Sequence, residues 1–315
     1  MINLTNYTKS LSLIFCLAAL ELAAGIMDHI RILEDKPFLS PMRNIDYIYM
    51  INLDERPQKY EQSLNELAPY GIVPYRFSAV NGWELPLEIV NDIGVKYDPW
   101  MRQGLMGTCY LPEDEGEPRH EIMQVPGRNY FCHCMSRGAV GILMSHLSIL
   151  VDAYKAGYET VWVMEDDIRV IRNPHLISDR IESLDRLIGK NSWDFLFTDY
   201  DTKNKRGEYV PCLGCALRPN FSPALPNKFN DRFMISLEFR KVGARYGAYS
   251  VIVRRSGMKK MIDFLKNGMF LPYDMEYTLP NDINMYTVLE DIVSTEPNAL
   301  SDNGAPNYKY ELVQP

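Results

Sequence analysis

Between residues 45 and 268 the chain alternates short, densely apolar runs with longer stretches whose apolar side chains recur every three or four positions. That alternation is the mark of strands and helices taken in turn. Residues 45–53 are nearly all apolar or aromatic, as in a strand buried on both faces of a parallel sheet. A helix follows with Tyr60, Leu64 and Leu67 on one face. Pro57 falls in its first turn, where a missing N–H is harmless, and Gly71 lies just past its end. Residues 75–80 read as a second strand closed by the turn pair Asn81-Gly82, so "IDYIYMINLDERPQKYEQSLNELAPYGIVPYRFSAVNG" forms one βαβ unit. Asp54 reads as a helix cap.

Periodicity fades over residues 84–135, where Pro, Gly and charge are scattered. This segment reads as an irregular insertion over the sheet, a substrate or lid region. Order returns with Leu143, Leu147, Leu150 and Tyr154 on one helical face, closed by Gly157. The strand at 160–164 then delivers Glu165, Asp166 and Asp167 to its carboxyl end. "SWDFLFTDYD" places Phe195 and Phe197 on one strand face, with Asp199 and Asp201 beyond it. Residues 248–253 read as the last strand, followed by a helix with Ser256 as N-cap and Met258, Met261, Ile262 and Leu265 inward. From Phe270 on, the chain is polar and Pro-rich and reads as a surface wrap. Alternating strands and helices predict an α/β fold with a mostly parallel sheet, in one catalytic domain over residues 26–315.

Composition narrows the functional classes. The 315 residues are 46% hydrophobic and 23% charged, an ordinary globular balance. A formal charge of −8, with no long basic run, gives no support to nucleic-acid or anionic-membrane binding. Residues 1–25 have one Lys, an apolar stretch and a small-residue end at Ala23-Ala24-Gly25. They read as a secretory signal peptide or as an N-terminal amphipathic, membrane-associated helix. The first reading implies a periplasmic or lumenal compartment, the second a cytoplasmic or membrane-associated one. Six cysteines include Cys132-His133-Cys134 and the pair Cys212 and Cys215. Structural zinc, a disulfide between the two clusters, and plain thiols all stay open.

The acidic triplet carries the chemistry. Adjacent carboxylates repel, and one stays protonated unless a cation is present. A hard divalent ion such as Mn2+ or Mg2+ takes oxygen ligands and shares them with phosphate. On strand alternation, Glu165 and Asp167 face one side and Asp166 the other. The alternative is a solvated acidic turn.

Four blocks in order resemble glycosyltransferase family 25, the family of lipooligosaccharide galactosyltransferases and collagen hydroxylysine galactosyltransferases. They are "IYMINLDERPQKYEQSLNEL...GIVPYRFSAVNG", "GAVGILMSHLSILVDAYKAGYETVWVMEDDIRV", "YGAYSVIVRRSGMKKMI" and "LPYDMEY". The resemblance implies a GT-A-type, Rossmann-like sheet with flanking helices. It also implies a UDP-sugar donor, Mn2+ (or Mg2+) and inversion at the anomeric carbon. On that pattern Glu165 and Asp167 hold the metal. Asn52, Arg56, Ala79, Val80, Gly82, Ser145, His146 and Asp166 border the nucleotide sugar. For His146, on the apolar face of its helix, a core or hydrogen-bonding role stands equally. Asp274 is the first choice of general base, Glu276 the second and Asp199 the third. The implied partners are a nucleotide sugar and a glycan, lipooligosaccharide or hydroxylysine-type acceptor, with no nucleic acid. Two rival readings are a non-catalytic carbohydrate-binding protein that keeps the fold and a metal-dependent phosphohydrolase. Five scattered His residues fit the latter poorly.

Overall fold

The computed structural model describes residues 25–311 apart from 35, 38–41, 213, 215, 216 and 297. Almost all of the expected export segment, together with Cys16 and Cys215, lies outside the described residues. No helix among the described residues is long and apolar enough to cross a membrane.

In chain order the strands are β1 (Tyr47–Asn52), β2 (Tyr75–Ser78), β3 (Val95–Lys96), β4 (Met106–Tyr110), β5 (Pro118–Ile122), β6 (Asn129–Cys132) and β7 (Thr160–Glu165). They continue as β8 (Ile168–Val170), β9 (Phe195–Phe197), β10 (Arg232–Met234), β11 (Phe239–Val242), β12 (Ser250–Arg254), β13 (Met285–Val288) and β14 (Val293–Thr295). The helices are α1 (Pro57–Leu67), α2 (Leu87–Ile93), α3 (Arg137–Lys155), α4 (Leu176–Ile188), α5 (Arg255–Leu265), α6 (Tyr273–Glu276) and α7 (Tyr308–Glu311).

The central sheet has eight strands in the order β10-β11-β13-β9-β12-β7-β1-β2. β1 pairs in parallel with both β2 and β7, and β9 with β13. β12 runs against β7 and β9, and β11 against β10 and β13. Six of the eight strands therefore point one way, and β11 and β12 are the reversed pair. The sheet is mostly parallel, as the α/β alternation predicts.

Side-chain alternation divides the interior into two cores. Tyr47, Tyr49 and Ile51 of β1, with Val161 and Val163 of β7, pack against α3 and α5 on one face. Ile48 and Met50, with Trp162 and Met164, face Leu67 of α1 and Ile177, Ile181 and Leu184 of α4 on the other. A strand buried on both sides has no polar register. This is why β1 and β7 read as continuous apolar runs.

Three segments differ from the reading of the chain. Residues 84–135 do leave the α/β alternation, yet they form α2 and a four-stranded antiparallel sheet in the order β3-β6-β4-β5. Strands of two to five residues leave little period to read. The chain after Phe270 does not simply wrap the surface: Phe270, Leu271, Tyr273 and Tyr277 are buried, and β13 lies inside the central sheet between β11 and β9. Neither expected cap forms. Asp54 accepts from Arg76 Nη2 at 2.8 Å and Ser78 Oγ at 2.7 Å, while Ser256 Oγ donates to Asp194 at 2.6 Å.

Candidate active site

β1, β2 and β7 run side by side, and their carboxyl ends open on one cleft. In open α/β sheets this crevice is where ligands bind. It is lined by Asn52, Ala79 to Gly82, Ser145, Glu165, Asp166 and Asp167. Residues 301–303 of the C-terminal segment close one side.

β7 ends at Glu165, and a tight turn at Asp166 and Asp167 leads directly into β8. The strict alternation expected across the triplet stops there, so all three residues line the same cleft. Thr295 Oγ1 (3.2 Å) and Glu296 N (2.8 Å), from and beside β14, hold the turn by donating to the carbonyl of Asp167. Ser63 Oγ of α1 donates to the carbonyl of Asp166 at 2.7 Å.

The carboxylates themselves are less well satisfied than their backbone. Glu165 Oε1 lies 3.1 Å from His146 Nε2. Asp166 Oδ2 accepts from Asn52 Nδ2 at 2.6 Å. Asp167 Oδ1 is buried without a hydrogen-bond partner. An orphaned buried carboxylate oxygen is unusual, because leaving it unpaired costs more than a lost neutral hydrogen bond. Burial, reinforced by the charges of its two neighbours, pushes the Asp167 carboxyl up to about 7. Burial likewise pushes Asp166 up to about 6, against the pull of Asn52 and Lys59.

Carboxylate oxygens that are adjacent in the chain, one of them unpartnered, are donors of the kind a hard cation takes. The residues fit Mn2+ or Mg2+. Among the described residues no three His, Cys, Asp or Glu side chains form a metal cage alone.

Several residues read as donor-site groups act on the protein's own backbone. Asn52, 1% exposed, donates to Asp166 and to the carbonyl of Arg56, and its Oδ1 accepts from Arg76 Nε. Ser145 Oγ accepts from Val80 N at 2.8 Å and donates to the carbonyl of Gly141, pinning the segment after β2 to α3. That segment runs so close to α3 that a Cβ on Gly82 would collide with the carbonyl of Arg137 and the nitrogen of Gly141. Here the close approach that glycine permits is helix to loop. Ala79 and Val80 remain on the cleft wall.

His146 is buried between Glu165 and the ring of Tyr273, on which it stacks at 4.2 Å. Asp274, in the first turn of α6, accepts from Gly247 N at 3.0 Å. Burial first, and then the field of Glu165, raises its carboxyl above the usual range. Glu276, two residues on, is fully buried, where it pairs with Arg218 at 3.0 Å and accepts from Phe270 N and Leu271 N. Asp199 is equally buried, held by Arg245, Tyr249 Oη and Ser294 Oγ.

Arg56 is 2% exposed and forms a two-pronged pair with Asp302, both N···O distances being 2.8 Å. Lys59, one turn further along α1, donates to the carbonyl of Leu300 at 2.6 Å and lies 3.5 Å from Asp302. Trp83 Nε1 donates to the carbonyl of Asp302, and Ser136 Oγ to Asn303. A strap at 300–303 is thus tied across the cleft by groups from α1, the loop after β2 and the start of α3. The room beneath it is about 100 Å³. Lys59, Trp83 and Asp302 escaped the reading of the chain. Lys59 stands three residues after Arg56 on a helix and could have been paired with it; Asp302 is 246 positions away and left no local signal.

A model of glycosyltransferase family 25 (LPS biosynthesis protein) matches residues 45–285. The chain belongs to glycosyltransferase family 25. Family 25 relatives include a "Glycosyltransferase 25 family member" of Drosophila melanogaster. It is 27% identical over 188 residues, covering 60% of this chain and 26% of the fly protein. A protein of the same name from Aedes aegypti is 28% identical over 153 residues, 49% of this chain and 21% of its own length. An "Inactive glycosyltransferase 25 family member 3" of Mus musculus is 29% identical over 154 residues, 48% and 21% respectively. The chain thus spans about a quarter or less of the length of these family 25 relatives.

Proposed function

We propose that this chain is a metal-dependent, inverting glycosyltransferase that moves a hexose, galactose or glucose, from a UDP-sugar to a glycan or glycoconjugate acceptor. The observation that carries the reading is the buried, unpartnered Oδ1 of Asp167 beside Glu165 and Asp166 at the carboxyl end of β7. Glu165 and Asp167 would hold Mn2+ or Mg2+, which when bound supplies positive charge to a departing diphosphate.

The chain's own residues do the rest. Asn52 holds Asp166 in place and keeps it out of rotation toward solvent. His146 fixes one oxygen of Glu165, and its own ring is locked by Tyr273. The C-terminal strap lines one side of the cleft and holds Arg56 and Lys59, and opening it would turn both toward a diphosphate. Asp274 accepts the proton of the acceptor hydroxyl. Glu276 and Asp199 are sealed in ion pairs with Arg218 and Arg245, whereas Asp274 has no ion pair of that kind among the described residues, and this supports the choice. A carboxyl raised by burial is also the better base near neutral pH.

The inactive relatives favour one second reading, a family member that binds but does not transfer. A donor panel separates the two. The full chain is incubated with UDP-galactose, UDP-glucose and other nucleotide sugars, with Mn2+ or chelator, and UDP release is followed. Metal-dependent release from one donor, lost in Asp167→Ala, supports transfer and names the sugar. Silence with every donor would overturn it, and a Mn2+-dependent thermal shift by UDP would then leave the binding reading.

A further inference from the structure

The transfer chemistry leaves the Cys132-His133-Cys134 motif unused. β6 ends at Cys132, and Met135 N donates to the carbonyl of Cys132 at 2.9 Å, so residues 132–135 form a tight turn. The turn folds the two thiols toward each other, with Sγ atoms 3.0 Å apart. A disulfide bond is only about 1 Å shorter. No backbone rearrangement on the scale of a strand is needed to close that gap.

The two thiols have opposite surroundings. Cys132 is buried at 4% exposure, its backbone fixed by Cys132 N donating to the carbonyl of Phe270 at 2.7 Å. Cys134 is exposed, two residues before Ser136, which caps the 19-residue helix α3. It borders a cavity of about 470 Å³ whose lining includes Trp83, His120, His133 and Arg137. The Cys132 thiol bond, with His133 adding to it, pulls Cys134 down to about 6 against burial and the opposing charge of Asp274. The same bond and burial push Cys132 up. Cys109, by contrast, is buried and without a second thiol among its hydrogen-bond partners; its Sγ donates to the carbonyl of Arg119.

We propose that Cys132 and Cys134 are a redox-active dithiol that reacts with low-molecular-weight disulfides, Cys134 attacking and Cys132 resolving. The Cys134 thiolate attacks one sulfur of the disulfide RS–SR, forming Cys134–S–SR and expelling RS⁻. Cys132 then gives up its proton, and its sulfur attacks Sγ of Cys134, forming the internal disulfide and expelling the second RS⁻. The dithiol loses two electrons and RS–SR is reduced to two thiols. An exposed, depressed thiol beside a buried partner is the arrangement that makes such an exchange directional.

The test is independent of the transfer reading. Reduced full-length protein is exposed to oxidised glutathione, the remaining thiols are trapped with a maleimide, and tryptic peptides are weighed. The tryptic peptide spanning residues 129–137 carries both cysteines and no other. In the wild type this peptide comes out two hydrogens lighter and resists the maleimide. Cys132→Ser stops at a glutathione adduct on Cys134, and Cys134→Ser gains none. At pH 5.5 the folded protein reacts roughly tenfold faster than the urea-unfolded chain, the larger thiolate fraction outweighing the lower nucleophilicity. A persistent glutathione adduct in the wild type, or equal rates folded and unfolded, overturns the proposal even if a serine variant fails to fold.

Discussion

Two groups of carboxylates stand at the same edge of the central sheet, beyond strands that point the same way. After β9, Asp199 is bound by Arg245, Asp201 by Arg232 and Arg240, and the nearby Asp291 by Lys203. Tyr249, Ser294, Tyr209 and backbone N–H groups fill further lone pairs. After β7, Glu165 has a histidine, Asp166 an asparagine, and one oxygen of Asp167 nothing. Lys59, whose charge is felt by Asp166 and Asp167, makes its own bonds to the carbonyl of Leu300 and to Asp302. The first group is internally neutralised and belongs to the scaffold. The second is not neutralised from within the fold, and its carboxyls answer burial and mutual repulsion by holding protons toward neutral pH.

That contrast can be broken from either side. The largest effect is expected at the scaffold group. Asp199→Asn leaves Arg245, 0% exposed, as a buried charge without its counter-ion. Such a loss costs about 3–5 kcal/mol, read as a fall in the urea midpoint at unchanged slope. At the cleft the signs separate. Asp167→Asn lowers metal-dependent UDP release by about 10²–10³. Its melting temperature without metal holds or rises, because a repelling charge has gone. If both variants lost stability alike, the two groups would be the same kind of site.

The strap sharpens the comparison. Asp302→Ala removes a carboxylate partner of Arg56 and loosens residues 300–303. Amide exchange in the strap should speed up, and UDP with Mn2+ should bind severalfold tighter by calorimetry, since a competing carboxylate no longer occupies the guanidinium. Unchanged affinity would make the pair purely structural.

The last effect is one of pH. Asp166 and Asp167 carry folded pKa values of about 6 and about 7, raised by burial. Raised carboxyls mean that the metal-free fold binds more protons than the unfolded chain between about pH 4 and 7. Its stability therefore declines as pH rises through that window. Divalent-ion affinity moves the opposite way, because binding must displace those protons. From pH 8 to 5.5 the Mn2+ affinity should fall by roughly tenfold or more, and in Asp167→Asn the residual slope should be shallower.

The elements that build the cleft were legible in the chain because their signals are local. Apolar runs marked β1 and β7, the three-to-four spacing marked α1 and α3, and the acidic triplet announced the end of β7. What decides between the two carboxylate groups is not local. Arg245 is 46 positions from Asp199, and Asp302 is 246 from Arg56. No window of sequence shows that Asp199 is sealed while Asp167 stays open. Glu276 and Asp274, two residues apart in one short helix, are likewise indistinguishable until Arg218 from a distant segment claims Glu276. β13 was missed for a related reason. Four residues of strand, flanked by polar turns, carry too little pattern to stand against the Pro-rich sequence before them.

Isothermal titration of UDP into the full chain, with and without Mn2+, in the wild type and in the double variant Glu165→Gln, Asp167→Asn, tests the open carboxylate site most directly. Binding that needs Mn2+ in the wild type and vanishes in a variant with an unaltered melting curve is the predicted result. Equal UDP affinity with and without Mn2+, or binding that survives the double substitution, would contradict it and leave the triplet a charged turn.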